Sequence, residues 1–155
     1  MNNLSNDPLN DSFGFWLSRL ERSVRAALNR CLAPLGVSTP EWLILALISR
    51  GSETPAGLAD ELGVDRAAIT RILGPLQCKG LIRGAPHPSD GRSTVLELTC
   101  EGARLLPKLA AAARATDESF LHQLSLEESD IALRLIRKIA VRLPQSPPKT
   151  KGVDQ

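Results

Sequence analysis

Tyrosine is absent from this chain, and Phe and Trp together supply only 3% of its residues. A single-strand binder that stacks bases on rings, or a reader built on an aromatic cage, needs more than that, so the core has to be aliphatic. Only two histidines (His87, His122) and three scattered cysteines (Cys31, Cys78, Cys100) are present, with no CxxC pair. That count argues against a disulfide framework or a structural zinc site and suits a reducing compartment, with the cysteines expected as small buried apolar residues. No Ser/His/Asp arrangement, phosphate loop, metal-ligand spacing or pair of carboxylates in a cleft can be assembled, so an enzyme is not expected and no catalytic residue, metal or cofactor is assigned. The longest apolar run, "WLILALI" at 42–48, is too short to span a bilayer, and the N-terminal "MNNLSNDPLND" has neither a basic flank nor an apolar centre. A cytoplasmic protein without a membrane partner is expected.

Charge is nearly balanced, with a formal net of +2 and an isoelectric point near 8.6. Anionic partners are permitted but not demanded, and any nucleic-acid signal has to be local. The 155 residues suit one domain. Residues 1–12 read as a flexible N-terminus, 13–143 as the domain and the Pro- and Lys-bearing 144–155 as a disordered tail.

What is present is helical periodicity. Phe13, Trp16, Leu17, Leu20, Val24, Ala27, Leu28 and Cys31 draw one stripe along a first helix that Pro34 and Gly36 stop. Ser38 or Thr39 can cap a second helix, apolar on nearly every side, with Pro40 in its first turn. Thr54 and Pro55 start a two-turn helix ending at Gly63, and Asp65 caps the next, whose inward stripe is Ile69, Ile72, Leu73 and Leu76. "LIRGAP" and "STVLELT" flank a charged loop and read as a hairpin, with Val95, Glu97 and Thr99 alternating against Leu96 and Leu98. Thr99 can cap a long Ala/Leu helix that Pro107 is expected to kink or break, and Ser125 with Glu128 makes a capping box for the last helix.

Short helix, glycine turn, second helix and a hairpin with a charged tip is the order of a winged helix-turn-helix, whose second helix enters the major groove. Arg66, Ala67, Thr70 and Arg71 point away from the inward stripe. Arg can bond guanine bidentately, Thr offers a hydroxyl and a methyl, Ala lets the backbone approach, and the free N–H groups at the helix start favour phosphate. Arg71 can instead pair with an acidic neighbour. At the hairpin tip, Pro88, Gly91 and Arg92 put a cation where a narrow minor groove is most negative, while Asp90 braces an Arg or caps the turn.

"LADELGVDRAAITRILGPLQCKGLIRGAPHPSDGRSTVLELTCEG" resembles the core of the MarR family of bacterial transcriptional regulators. The residues that carry the likeness are Leu58-Ala59, Ile69-Thr70-Arg71, Leu76, Lys79-Gly80-Leu81-Ile82, Asp90-Gly91-Arg92, and Leu98-Thr99 with Gly102. "TPEWLILALI" is similar to the helix that precedes the family's DNA-binding unit, so about residues 13–142 are covered. Two departures stand out: His87 replaces an acidic residue common in the wing, and Gly74-Pro75 interrupts the reading helix, so that a bend after Leu73 is expected.

The fold class expected is therefore mainly α with a small β-hairpin wing. A winged helix-turn-helix core at 38–99 is flanked by dimerisation helices at 13–36 and 100–143. The resemblance implies a homodimer, and the apolar stripes of the flanking helices support it independently, since they exceed what a winged core can cover. Two-fold symmetry implies a pseudo-palindromic operator on double-stranded DNA, with half-sites roughly 10 bp apart. The resemblance also implies a repressor released by a small effector, in relatives an aromatic or phenolic acid, bound between the two layers. Trp16 and Trp42 can line such a pocket or simply pack in the core, and Arg19 or Arg22 can hold a ligand carboxylate or lie solvated. Two other readings stay open: a thiol-responsive regulator through Cys31, and a winged helix that binds an acidic protein instead of DNA.

Overall fold

The computed structural model describes residues 9–86 and 94–142. Its elements are α1 (Phe13–Leu32), a 3-10 turn (Ala33–Leu35), α2 (Thr39–Ser49), α3 (Pro55–Leu62), α4 (Arg66–Cys78), β1 (Ile82–Pro86), β2 (Thr94–Leu98), α5 (Cys100–Leu121) and α6 (Leu126–Arg142). This is the expected mainly helical winged architecture. The calls on 1–8, on the wing tip 87–93 and on the tail 144–155 lie outside the described residues.

Caps explain most helix starts. Ser12 Oγ accepts from Phe15 N–H, Thr54 Oγ1 from Gly57 N–H, Asp65 Oδ1 from Ala68 N–H and Thr99 Oγ1 from Gly102 N–H. Ser38 with Glu41, and Ser125 with Glu128, close reciprocal capping boxes. Ser12 belonged to the segment expected to be flexible, yet it caps α1, and Trp16 Nε1–H donates to Asn10 O at 2.8 Å, so residues 10–12 are tied to the first helix.

Neither proline breaks its helix: α4 and α5 both run on through Pro75 and Pro107. Each proline deletes one N–H, but Leu73 and Leu76 on one helix and Leu109 on the other are buried, and that packing outweighs a single lost backbone bond.

The core is aliphatic. Leu32, Ile44, Leu45, Leu58, Ile69, Leu76, Leu96 and Leu109 are fully buried, each contributing about 1.5–3 kcal/mol of transfer free energy. α2 lies at its centre, against α1, α4, α5 and β2. In the antiparallel hairpin Ile82 faces Leu98 and Pro86 faces Thr94. Strict alternation fails on β2, where Val95 and Leu96 are both buried. The α2–α3 loop lies along that strand, with Glu53 O accepting from Leu96 N–H at 2.7 Å.

The root of the wing is joined to α5 by backbone. Thr99 N–H donates to Leu81 O, Thr99 Oγ1–H donates to Gly80 O, and a Cβ on Gly102 would stand 2.1 Å from Leu81 O. No side chain fits there.

Gly102→Ala is expected to cost about 1–3 kcal/mol through forced separation of α5 from the wing root. Gly74→Ala, where a Cβ meets nothing within 4 Å, should be neutral or stabilising by up to about 1 kcal/mol. Urea unfolding midpoints of the two variants check this, and equal effects would refute the steric account.

Candidate nucleic-acid interface

The turn between α3 and α4 is built on Gly63, whose φ of 65° is a left-handed conformation that costs glycine nothing. Asp65 then starts α4 with a short bond to Ala68 N–H, 2.7 Å, so that one of the helix-start donors expected to be free for phosphate is already taken. Along α4, Ile69, Leu73 and Leu76 go inward, with Ile72 half-buried beside them. Arg66, Ala67, Thr70 and Arg71 all lie exposed on the opposite face, as their spacing of one, three and one residues requires. Thr70 Oγ1–H donates to Arg66 O at 2.9 Å, leaving its oxygen as an acceptor and its methyl outward. Among the described residues neither Arg66 nor Arg71 has a carboxylate partner, so the acidic-neighbour alternative for Arg71 finds no support there.

Strand β1 carries Arg83, held to Glu97 of β2 by Nε at 3.0 Å and Nη2 at 2.8 Å. That pair stiffens the stem of the wing on its exposed face. Asp90 and Arg92, with His87, lie outside the described residues.

The C-terminal end of α4 is anchored by a residue that periodicity did not single out. Lys79 Nζ donates to Glu41 Oε1 at 2.6 Å and to Gly36 O at 2.8 Å. Burial pushes the Glu41 carboxyl upward, but the Lys79 ammonium and the Ser38 N–H and hydroxyl outweigh it and hold it below the usual carboxylate value. One side chain thus ties the end of α4 to the start of α2 and to the turn after α1.

Between α1, α2 and α4 a cavity of about 400 Å³ opens. Val24, Leu28, Leu43, Leu62 and Ile72 give it an apolar wall, Thr39 and Pro40 bring the start of α2 to it, and Glu21 and Arg25 stand at it as an ion pair with N···O 3.1 Å. The ligand residues read from the sequence are not among its lining. Trp16 is 47% exposed, edge-on to Phe15 and under the Arg19 guanidinium, which is 5.7 Å from the ring centre. Trp42 is half-buried against the core, and Arg19 and Arg22 line a separate shallow depression with Phe15 and Ser18. Trp16 and Arg19 lie on the first turns of α1, before the stretch from Glu21 onward that borders the cavity. The helical stripe holding Val24 and Leu28 was legible as apolar, but nothing local marks which part of a stripe borders a void.

All three cysteines are exposed rather than buried in the single chain. Large apolar residues are exposed too: Phe13, Trp16, Leu17 and Leu20 on α1, and Ile131, Leu135, Ile136 and Ile139 on α6. α6 packs extensively on no other element of its own chain among the described residues. No group of His, Cys, Asp or Glu among those residues could hold a metal ion.

A family model described as the MarR family matches residues 35–93, from the turn after α1 to the wing. The multiple antibiotic resistance protein MarR of Salmonella typhimurium is 39% identical over 79 residues, which are 50% of this chain and 55% of that protein. The matched stretch thus spans about half the length of this curated relative. The structural likeness reaches further. CouR from Rhodococcus jostii, crystallised with p-coumaroyl-CoA, superposes with a TM-score of 0.79 at 26% identity, covering 90% of this chain and 99% of that one. By sequence, the chain is similar to the MarR family across its winged core. A mutant MarR from E.coli in complex with operator DNA superposes with a TM-score of 0.78 at 26% identity, covering 90% of this chain and 100% of that one. The MarR likeness therefore takes in α1, α5 and α6 as well as the winged core that the family model covers.

Glu41→Gln is expected to cost about 1–3 kcal/mol at neutral pH by leaving the Lys79 ammonium without its carboxylate. A carboxyl held below its ordinary value of 4.5 stabilises the fold above that value and loses the contribution as pH falls through the lower, folded value. The gap between wild-type and variant unfolding midpoints should therefore close on acidification. A gap that stays constant down to about pH 3 would contradict the role given to this pair.

Proposed function

We propose that the chain is a dimeric, sequence-specific DNA-binding transcriptional repressor, acting in the cytoplasm, whose hold on a pseudo-palindromic operator is relieved by a small molecule. The observation that carries this reading is the exposed face of α4, where Arg66, Ala67, Thr70 and Arg71 stand together with both guanidinium groups uncommitted among the described residues. In the groove, Arg66 and Arg71 read or clamp guanine, Thr70 accepts or packs on a thymine methyl, and Ala67 keeps the helix close. Asp90 and Arg92 belong to the same proposal: Arg92 enters the minor groove and Asp90 braces it. The E.coli relative's complex with operator DNA supports the assignment.

Residues 13–36 and 100–143 form the dimer layer in this reading, and 38–99 the DNA-binding core. The exposed apolar residues of α1 and α6 support it, because a lone chain would leave an apolar surface of that extent in water. The effector enters the cavity rather than meeting Trp16, Arg19 and Trp42 as a set. Its walls come from the dimer layer and from α4 together, so a molecule that fits one arrangement better than the other shifts the two reading helices. The p-coumaroyl-CoA held by the Rhodococcus jostii relative supports a ligand-responsive protein.

A thiol-responsive regulator is the second reading, favoured by the exposure of Cys31, Cys78 and Cys100. Operator binding indifferent to peroxide and to Cys31→Ser removes it. A protein-interaction module predicts no salt-dependent binding to any duplex from the genomic neighbourhood.

Arg66→Ala is expected to lower discrimination between operator and random duplex by about 1–3 kcal/mol. Arg92→Ala should weaken both duplexes alike and reduce the salt slope of binding by about 1. Fluorescence anisotropy across a salt series separates them, and equal loss of specificity in both variants would mean the roles are wrongly assigned. Sedimentation of the wild type should give a dimer, and a monomer at micromolar concentration would overturn the symmetric operator.

A further inference from the structure

The cavity shows what kind of molecule it accepts, an inference that rests on its being the effector site. We propose that it selects neutral, mostly apolar molecules and discriminates against carboxylates.

The first ground is the start of α2, which lines the cavity through Thr39 and Pro40. A helix N-terminus ordinarily attracts an anion through free N–H groups, but this one has none to offer. Thr39 N–H donates to Asn29 Oδ1 at 3.0 Å, Pro40 has no N–H, Glu41 N–H is taken by the Ser38 capping box, and Trp42 N–H donates to Ser38 O. The second ground is the proton of the Thr39 hydroxyl. Because Thr39 N–H can only donate, the Asn29 atom facing it is the carbonyl oxygen, and the hydroxyl 2.8 Å from that same oxygen must also donate to it. Both donors of Thr39 are thereby committed to Asn29, and neither is left for an incoming carboxylate.

The third ground is charge. Among the described residues Arg25 is the sole cation lining the cavity, and Glu21 lines it beside Arg25. The pair is half-exposed and weak as an ion pair, but its charges cancel, and an incoming carboxylate meets Glu21 as closely as Arg25. The remaining wall is aliphatic, where an anion loses its hydration without replacement. A volume near 400 Å³ suits a fused two-ring skeleton.

Titration calorimetry of the full chain with 2-naphthol, 2-methoxynaphthalene and 2-naphthoate tests this on one skeleton. 2-Naphthol and the ether should each bind about tenfold or more tightly than the acid, which loses its hydration without replacement. Glu21→Gln should tighten 2-naphthoate several-fold while leaving 2-naphthol and the ether unmoved. Ile72→Trp, by filling the space, should abolish all three. Acid binding as tight as naphthol or the ether, or no binding by any of the three, overturns the proposal. The same samples read for operator binding keep the tests apart: a chain that grips its operator but fails these ratios loses the ligand class alone, and one that shows the ratios without gripping DNA loses the repressor reading alone.

Discussion

A single ammonium group sets the geometry on which the rest depends. Lys79 Nζ lies between the Glu41 carboxylate and the Gly36 carbonyl, so the end of α4, the start of α2 and the turn leaving α1 meet at one point. Glu41 is itself occupied twice more, by the N–H and the hydroxyl of Ser38. A nearly buried carboxylate is tolerable only when its lone pairs are filled this completely. The same residue caps α2 and neutralises Lys79, and so helps fix the orientation of α4 against α2 and the turn after α1.

The chain divides its apolar residues between two uses. Ile44, Leu45, Leu58, Ile69 and Leu76 close the interior of the winged core, where every buried contact lies within one copy. Phe13, Leu17 and Leu20 on α1 and Ile131, Leu135 and Ile139 on α6 belong to stripes just as regular but stay substantially exposed among the described residues. Periodicity thus records that a helix has a buried side without recording whose atoms bury it. The cavity sits at the boundary between the two uses, with one wall from α1 and the facing wall from α2 and α4.

This is also the line between what the sequence disclosed and what it withheld. Helix starts were legible because a cap is local: Ser38, Thr54, Asp65, Thr99 and Ser125 each act within three residues of themselves. The outward set on α4 followed from the inward one. At Pro75 and Pro107 a local rule about one missing bond is opposed by packing that only the folded chain shows, and both helices continue. The tie between Lys79 and Glu41 spans 38 residues and leaves no periodic trace. Trp16 and Trp42 stood out as the rare large rings, but chemical prominence does not locate a void, and the void borders ordinary aliphatics instead. The cysteines, read as small hydrophobes, lie on outer faces of a single copy.

The absence of a side chain at Gly102 has a consequence of its own. Where the backbone of α5 touches the carbonyl of Leu81, the angle between the wing root and the long helix behind it is set by close backbone packing and by the Thr99 hydrogen bonds. In the proposed dimer that joint would hold the two wing roots at a set distance, so that substitutions on the outer face of α5 leave the spacing unchanged.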